Sequence, residues 1–132
     1  MTENELSKIV VDCCFRIHSK LGPGLLESVY EEVLAYELNK CGISFERQKS
    51  IEVTYDEVRM GIGFIADFII ESKLILELKS VEFIRPVHLK QLLTYLRLTD
   101  IKLGLLINFN DNLIKSAIKR VVNNLPDSQQ SR

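Results

Sequence analysis

An α/β domain with a mixed central sheet flanked by helices is the fold class this sequence predicts, and three observations predict it. Apolar residues recur at helical spacing from Glu5 to Leu21, from about Leu25 to Lys40, and from Pro86 to about Leu98. Between the second and third of these, the stretch Gly61 to Ser80 holds two apolar runs parted by Glu71, Ser72 and Lys73, the pattern of a hairpin. Lys102 to Phe109 then reads as a short interior strand, so strand, helix and strand in succession imply a parallel, right-handed crossover.

The first helix buries Leu6, Ile9, Val10, Cys13, Cys14 and Ile17, with Thr2 or Asn4 available as its cap. Gly22, Pro23 and Gly24 break it; no Lys-Ser or Lys-Thr follows, so these glycines form a turn and not a phosphate loop. The second helix presents Leu26, Val29, Val33, Leu34 and Leu38 as its apolar stripe and ends at Cys41-Gly42. Ser44 to Tyr55 alternates loosely and suits a strand that meets the hairpin through a turn near Asp56 and Glu57, while Gly61 and Gly63 suit a bulge or a close backbone approach. Pro86 fits the first position of the third helix, which buries Leu89, Leu92, Leu93 and Leu96 and aligns His88, Gln91 and Tyr95 on one ridge. Leu113 to Leu125 has helical spacing, although its β-branched residues keep a strand open, and the polar tail after Pro126 reads as frayed.

With 132 residues and 46% hydrophobic content, the chain fits one domain over residues 1–132 that buries roughly two thirds of its unfolded surface. A net charge of −1 argues against a constitutively basic nucleic-acid binder, so phosphate contacts would have to come from a local patch. Cys13, Cys14 and Cys41 are odd in number and lack metal-like spacing, and Glu3 and Glu5 stand where a signal peptide carries basic residues. A reduced, cytoplasmic protein is the simplest reading, and no apolar segment approaches the roughly 20 residues of a membrane span.

The hairpin register can be tested by arithmetic. A three-residue loop centred on Ser72 makes facing residue numbers sum to 144 and sets Asp67 opposite Glu77, with Cβ atoms about 4.5 to 5.5 Å apart. Alternation adds Lys79 to that face, together with Ile65, Ile69 and Ile75. Phe64, Ala66, Phe68, Ile70, Leu74, Leu76 and Leu78 take the other. Apolar side chains on both faces mark strands covered on both sides, where charges are costly unless paired or metal-bound. An acidic site therefore explains these residues better than a solvated face. Glu27, Tyr30 and Glu31 share a face of the second helix; Glu27 alone would be explained by its helix N-terminus, and Tyr30 suits packing and a ligand contact equally.

Asp67, nine intervening residues, then Glu77-Leu78-Lys79 resembles the signature of the PD-(D/E)XK nuclease superfamily. Gly24, Glu27 and Tyr30 spell Gly-x-x-Glu-x-x-Tyr, similar to the GxxExxY family placed in it, and Gln91 with Tyr95 gives the Gln-x-x-x-Tyr element of its exonuclease-like branches. The resemblance runs from the first helix to about residue 122. Ala66 stands where the superfamily's name has Pro, at a position that contacts no metal.

The resemblance implies a restriction-endonuclease-like αβββαβ core and a metal-dependent nuclease acting on nucleic acid, DNA rather than RNA. It implies Mg²⁺ or Mn²⁺ held by Asp67, Glu77, the Leu78 main-chain carbonyl and Glu27, with Glu31 the substitute if the helix is rotated. Lys79 would orient or deprotonate the attacking water or stabilise charge on phosphorus, and Gln91 would orient that water, Lys79 or a phosphate. Tyr95 would contact the nucleic-acid backbone, with Arg85, Lys90 and Arg97 as phosphate-positioning charges; His88 reads as a surface histidine. A non-catalytic nucleic-acid-binding or assembly module on the same fold, and a homodimer or higher oligomer, stay open on the residues alone.

Overall fold

The computed structural model describes residues 1–130. Two helices, α1 (Glu3–Leu21) and α2 (Glu27–Lys40), precede three antiparallel strands, β1 (Phe45–Tyr55), β2 (Val58–Ile70) and β3 (Leu74–Lys79). Helix α3 (Pro86–Thr99) crosses to β4 (Leu103–Asn108), which pairs parallel to β3, and β5 (Ile118–Val122) closes the sheet antiparallel to β4. The sheet order is β1-β2-β3-β4-β5. This is a mixed five-stranded sheet flanked by helices, the α/β arrangement expected from the sequence.

Local chemistry accounts for the element ends. Thr2 caps α1 in a capping box: its hydroxyl accepts from the Glu5 N–H at 3.1 Å and the Glu5 carboxylate accepts from the Thr2 N–H at 3.0 Å. Pro86 occupies the first turn of α3. The β1–β2 turn passes through Asp56 and Glu57, both with positive φ, and the β2–β3 turn through Glu71 and Ser72 likewise. Gly63 lies where an added Cβ would overlap the Ile51 carbonyl oxygen, and Gly61 has a φ of 71°, beside a register shift between Glu52 and Thr54. Both the close approach and the bulge are present.

One core cluster joins α1 and α2 to the sheet through Val10, Cys13, Leu34, Phe68, Leu76 and Leu105; the other joins α3 through Leu92, Leu96, Ile69, Ile75 and Leu106. Strands β3 and β4 are buried on both faces, and β3 carries Glu77 into that interior among its leucines.

Four sequence expectations need correction. Leu113–Leu125 is not a helix: a 3₁₀ turn at Ile114–Ala117 leads into β5, where β-branched Ile118, Val121 and Val122 fit the open edge of β4. Leu26 and Val29 are exposed, because Leu26 sits outside α2 with extended backbone and the helix phase starts after it; Tyr30, Leu34, Ala35 and Leu38 form the buried stripe. Phe64 and Ala66 face α3 and not the α1–α2 side: Phe64 stacks on Tyr95, and Ala66 joins the Leu92–Leu96 cluster. Alternation slips between Ala66 and Phe68, where Gln48 takes a φ of 48° and the ladder runs from Lys49↔Ala66 to Arg47↔Phe68 without an intervening pair. The described part of the tail forms a short helix α4 (Asp127–Gln130), with the Gln129 carbonyl accepting from Asn4 and Arg120 at 3.2 and 2.8 Å, and residues 131–132 lie outside the described residues.

Candidate active site

The β2–β3 hairpin has the arithmetic register, with Phe68↔Leu76, Ile69↔Ile75 and Ile70↔Leu74 all on the same constant. Pairing stops at Phe68, and the next step along brings Asp67 to Glu77. Here β2 parts from β3, and the Asp67 side chain takes over from the ladder: its Oδ2 accepts the Leu78 N–H at 2.8 Å. Its Oδ1 accepts from Gln48 Nε2 at 3.3 Å. The carboxylate is thus fixed at the fork between the strands.

Glu77 is 8% exposed, and its Oε1 is buried without a hydrogen-bond partner. Burial, then the neighbouring Asp67 charge, push its carboxyl up to about 9, with the Lys79 charge opposing. Glu77 and Lys79 line a small cavity of about 30 Å³ with His88, Gln91, Leu92, Tyr95 and Leu106. The ridge expected on α3 therefore does meet the acidic strand. Tyr95 lies with its ring centroid 3.6 Å from that of Phe64, nearly parallel, and burial followed by the Glu77 and Asp67 charges raises its phenol. His88 is half-buried and accepts the Arg85 N–H on Nδ1 at 3.0 Å, so it caps α3 instead of standing free. Slight burial, then Lys79 and Arg85, lower its pKa.

Glu27 is the first residue of α2. Burial of its carboxyl, then the Asp67 charge, raise its pKa, while Lys79 lowers it. A helix N-terminus favours the charged form, whereas burial, with Asp67 second, favours the neutral one. Among the described residues no three His, Cys, Asp or Glu side chains converge into a ready metal cluster. Glu27 thus senses Asp67 without joining the Asp67–Glu77 pair.

Glu31, the alternative to Glu27, is held by Arg47 Nη2 at 2.6 Å and by the Gln48 amide, which also reaches Asp67. Tyr30 is fully buried, its ring stacked on Phe109 with centroids 4.5 Å apart and its hydroxyl turned to the backbone of the α1–α2 turn. Lys90 and Arg97 are exposed and stand outside the cavity; Lys90 borders a separate groove between α3 and β5 with Lys119 and Arg120. Gln48 was not anticipated, since nothing in a strand sequence marks a residue that bends its backbone to bridge Glu31 and Asp67.

A family model described as the PD-(D/E)XK nuclease superfamily matches residues 4–121. The chain belongs to that superfamily. No curated protein and no solved structure matches it. The superfamily suggests nuclease activity on a nucleic-acid substrate, and its members usually use divalent metals. Among the described residues no helix is long and apolar enough to cross a membrane.

Proposed function

We propose that this protein is a divalent-cation-dependent nuclease of the GxxExxY branch that hydrolyses phosphodiester bonds in DNA. The observation that carries the reading is the buried, unpartnered Glu77 Oε1 beside the Asp67 carboxylate. Two acids forced together out of water keep a proton between them unless a cation replaces it, so the donor set fits a hard ion such as Mg²⁺ or Mn²⁺. Asp67 and Glu77 would hold it, with the Leu78 carbonyl: the Leu78 N–H points to Asp67, and in an extended strand a residue's N–H and C=O point to the same side. Glu27, set apart from the pair, would act through a water, since Mg²⁺ keeps several of its waters. When bound, such an ion polarises the phosphoryl oxygen and makes water more acidic.

The remaining roles belong to the chain. Lys79 and Gln91 border a polar cavity large enough for a water, so Gln91 orients that water and Lys79 holds it or stabilises the charge that builds on phosphorus. Tyr95, its phenol kept protonated, donates to the nucleic-acid backbone beside the cavity. Arg85 at the start of α3 positions a nearby phosphate, and Lys90 and Arg97 on its outer side contact flanking ones.

The test is incubation of purified protein with single-stranded, double-stranded and branched DNA and with RNA, in Mg²⁺ or Mn²⁺ and after chelation. Cleavage that requires the cation and is lost in Asp67→Asn and Glu77→Gln is expected. Cleavage that survives both substitutions rejects this site. Mn²⁺ affinity that does not depend on these carboxylates, together with no cleavage, would favour a non-catalytic module.

A further inference from the structure

The start of α2 has no side-chain cap: Leu26 makes no capping hydrogen bond, although Glu27 follows it directly. The turn before it is Gly22-Pro23-Gly24, in which the glycines take φ of 68° and 100°, open to glycine without strain. What holds it is a pair of hydroxyls on the Leu25 backbone. The Leu25 N–H donates to Tyr30 Oη at 3.2 Å, and the Leu25 carbonyl accepts from Ser80 Oγ at 2.6 Å. Tyr30 Oη itself donates to the Gly22 carbonyl at 2.6 Å, closing the turn.

Both ends of this arrangement lead to Lys79. Ser80 is its neighbour in the chain. The Tyr30 ring stacks on Phe109, whose N–H donates to the Lys79 carbonyl at 2.9 Å. We infer that Tyr30 and Ser80 are positioning residues that clamp the Leu25 backbone and so fix the Glu27 carboxylate relative to Lys79. In this reading the Gly, Glu and Tyr of the Gly-x-x-Glu-x-x-Tyr pattern are one device: the glycine allows the turn, the tyrosine closes it, and the glutamate is what it aims. The inference rests on the reading of Glu27 and Lys79 as members of one site.

Tyr30→Phe keeps the stacked ring and removes the hydroxyl; Ser80→Ala removes the other contact, and Ser80→Thr retains it. Amide hydrogen exchange by NMR is expected to quicken at Leu25 in Tyr30→Phe by about fivefold to tenfold, the loss of about one hydrogen bond, with Leu105 in the β4 core unchanged. In the cleavage assay, kcat should fall by a similar factor in Tyr30→Phe and Ser80→Ala with KM unchanged, and Ser80→Thr should restore it. Combining Tyr30→Phe with Glu27→Gln should cost no more than Glu27→Gln alone, because both act through one carboxylate. Unchanged exchange at Leu25, or losses that multiply in the double variant, would overturn the clamp. If the unsubstituted protein shows no Asp67-dependent cleavage, the nuclease reading fails, and exchange at Leu25 still decides whether the clamp exists.

Discussion

Replacing Glu77 by glutamine tests the electrostatics of the site without any substrate. The folded carboxyl holds its proton up to about 9, whereas an unfolded one has released it above 4.5. Between those values unfolding frees one proton, so the folded state loses about 1.4 kcal/mol of stability for each unit the pH rises. Below 4.5 both states are protonated and the dependence vanishes; above 9 both are ionised and it vanishes again. At pH 7 the accumulated cost is about 3 kcal/mol. A glutamine amide has the same shape and keeps a donor for Asp67, but carries no proton to lose. Glu77→Gln is therefore expected to raise the urea midpoint at pH 7 by an amount equivalent to about 3 kcal/mol, and to flatten the slope of stability against pH between 5 and 8. Adding Mn²⁺ should stabilise the unsubstituted protein and leave the variant unmoved. A variant no more stable than its parent at pH 7, with the same pH slope, would refute the burial argument for Glu77.

Three further outcomes follow from particular contacts. Asp67→Asn keeps an acceptor for the Leu78 N–H at 2.8 Å, so it should fold and melt normally yet show no cation-dependent cleavage; a large drop in melting temperature would show that the charge itself is structural. Gly63→Ala would place a Cβ 2.8 Å from the Glu52 Cα and against the Ile51 carbonyl, and is expected to cost more than about 2 kcal/mol in chemical denaturation. Leu92, fully buried between α3 and the sheet, should cost about 2–5 kcal/mol on substitution by alanine; a smaller loss would mean that α3 settles inward onto Gly104.

Much of the fold was legible because period and position agree in it. The capping box at Thr2, the proline opening α3 and the leucine- and isoleucine-rich β3 and β4 each signal their element locally, and the hairpin constant follows from a three-residue break. Periodicity put Glu77 with Lys79 on one strand face and Gln91 with Tyr95 on one helix ridge, but only the family resemblance linked the two faces that line one cavity. What escaped depends on partners far along the chain. Ile118–Val122 has no local preference strong enough to choose strand over helix; the unfilled edge of β4 chooses. Glu31 looks as free as Glu27 in sequence, and only the folded β1 brings Arg47 and Gln48 to it. The slip in alternation at Asp67 likewise arises from Gln48, across the ladder and not beside it.

Strand β2 runs for 13 residues, yet pairs with β3 over only Phe68 to Ile70. From Val58 to Ala66 the strand pairs with β1 alone, as a two-stranded arm, and only its inner end, at Phe64 and Ala66, also packs against α3. The acidic fork and the outer arm thus share a strand but not a support. Length and side chains can change toward the Asp56–Glu57 tip without altering the spacing of Asp67 from Glu77, so substrate preference can diverge among such proteins while the acidic pair stays where it is.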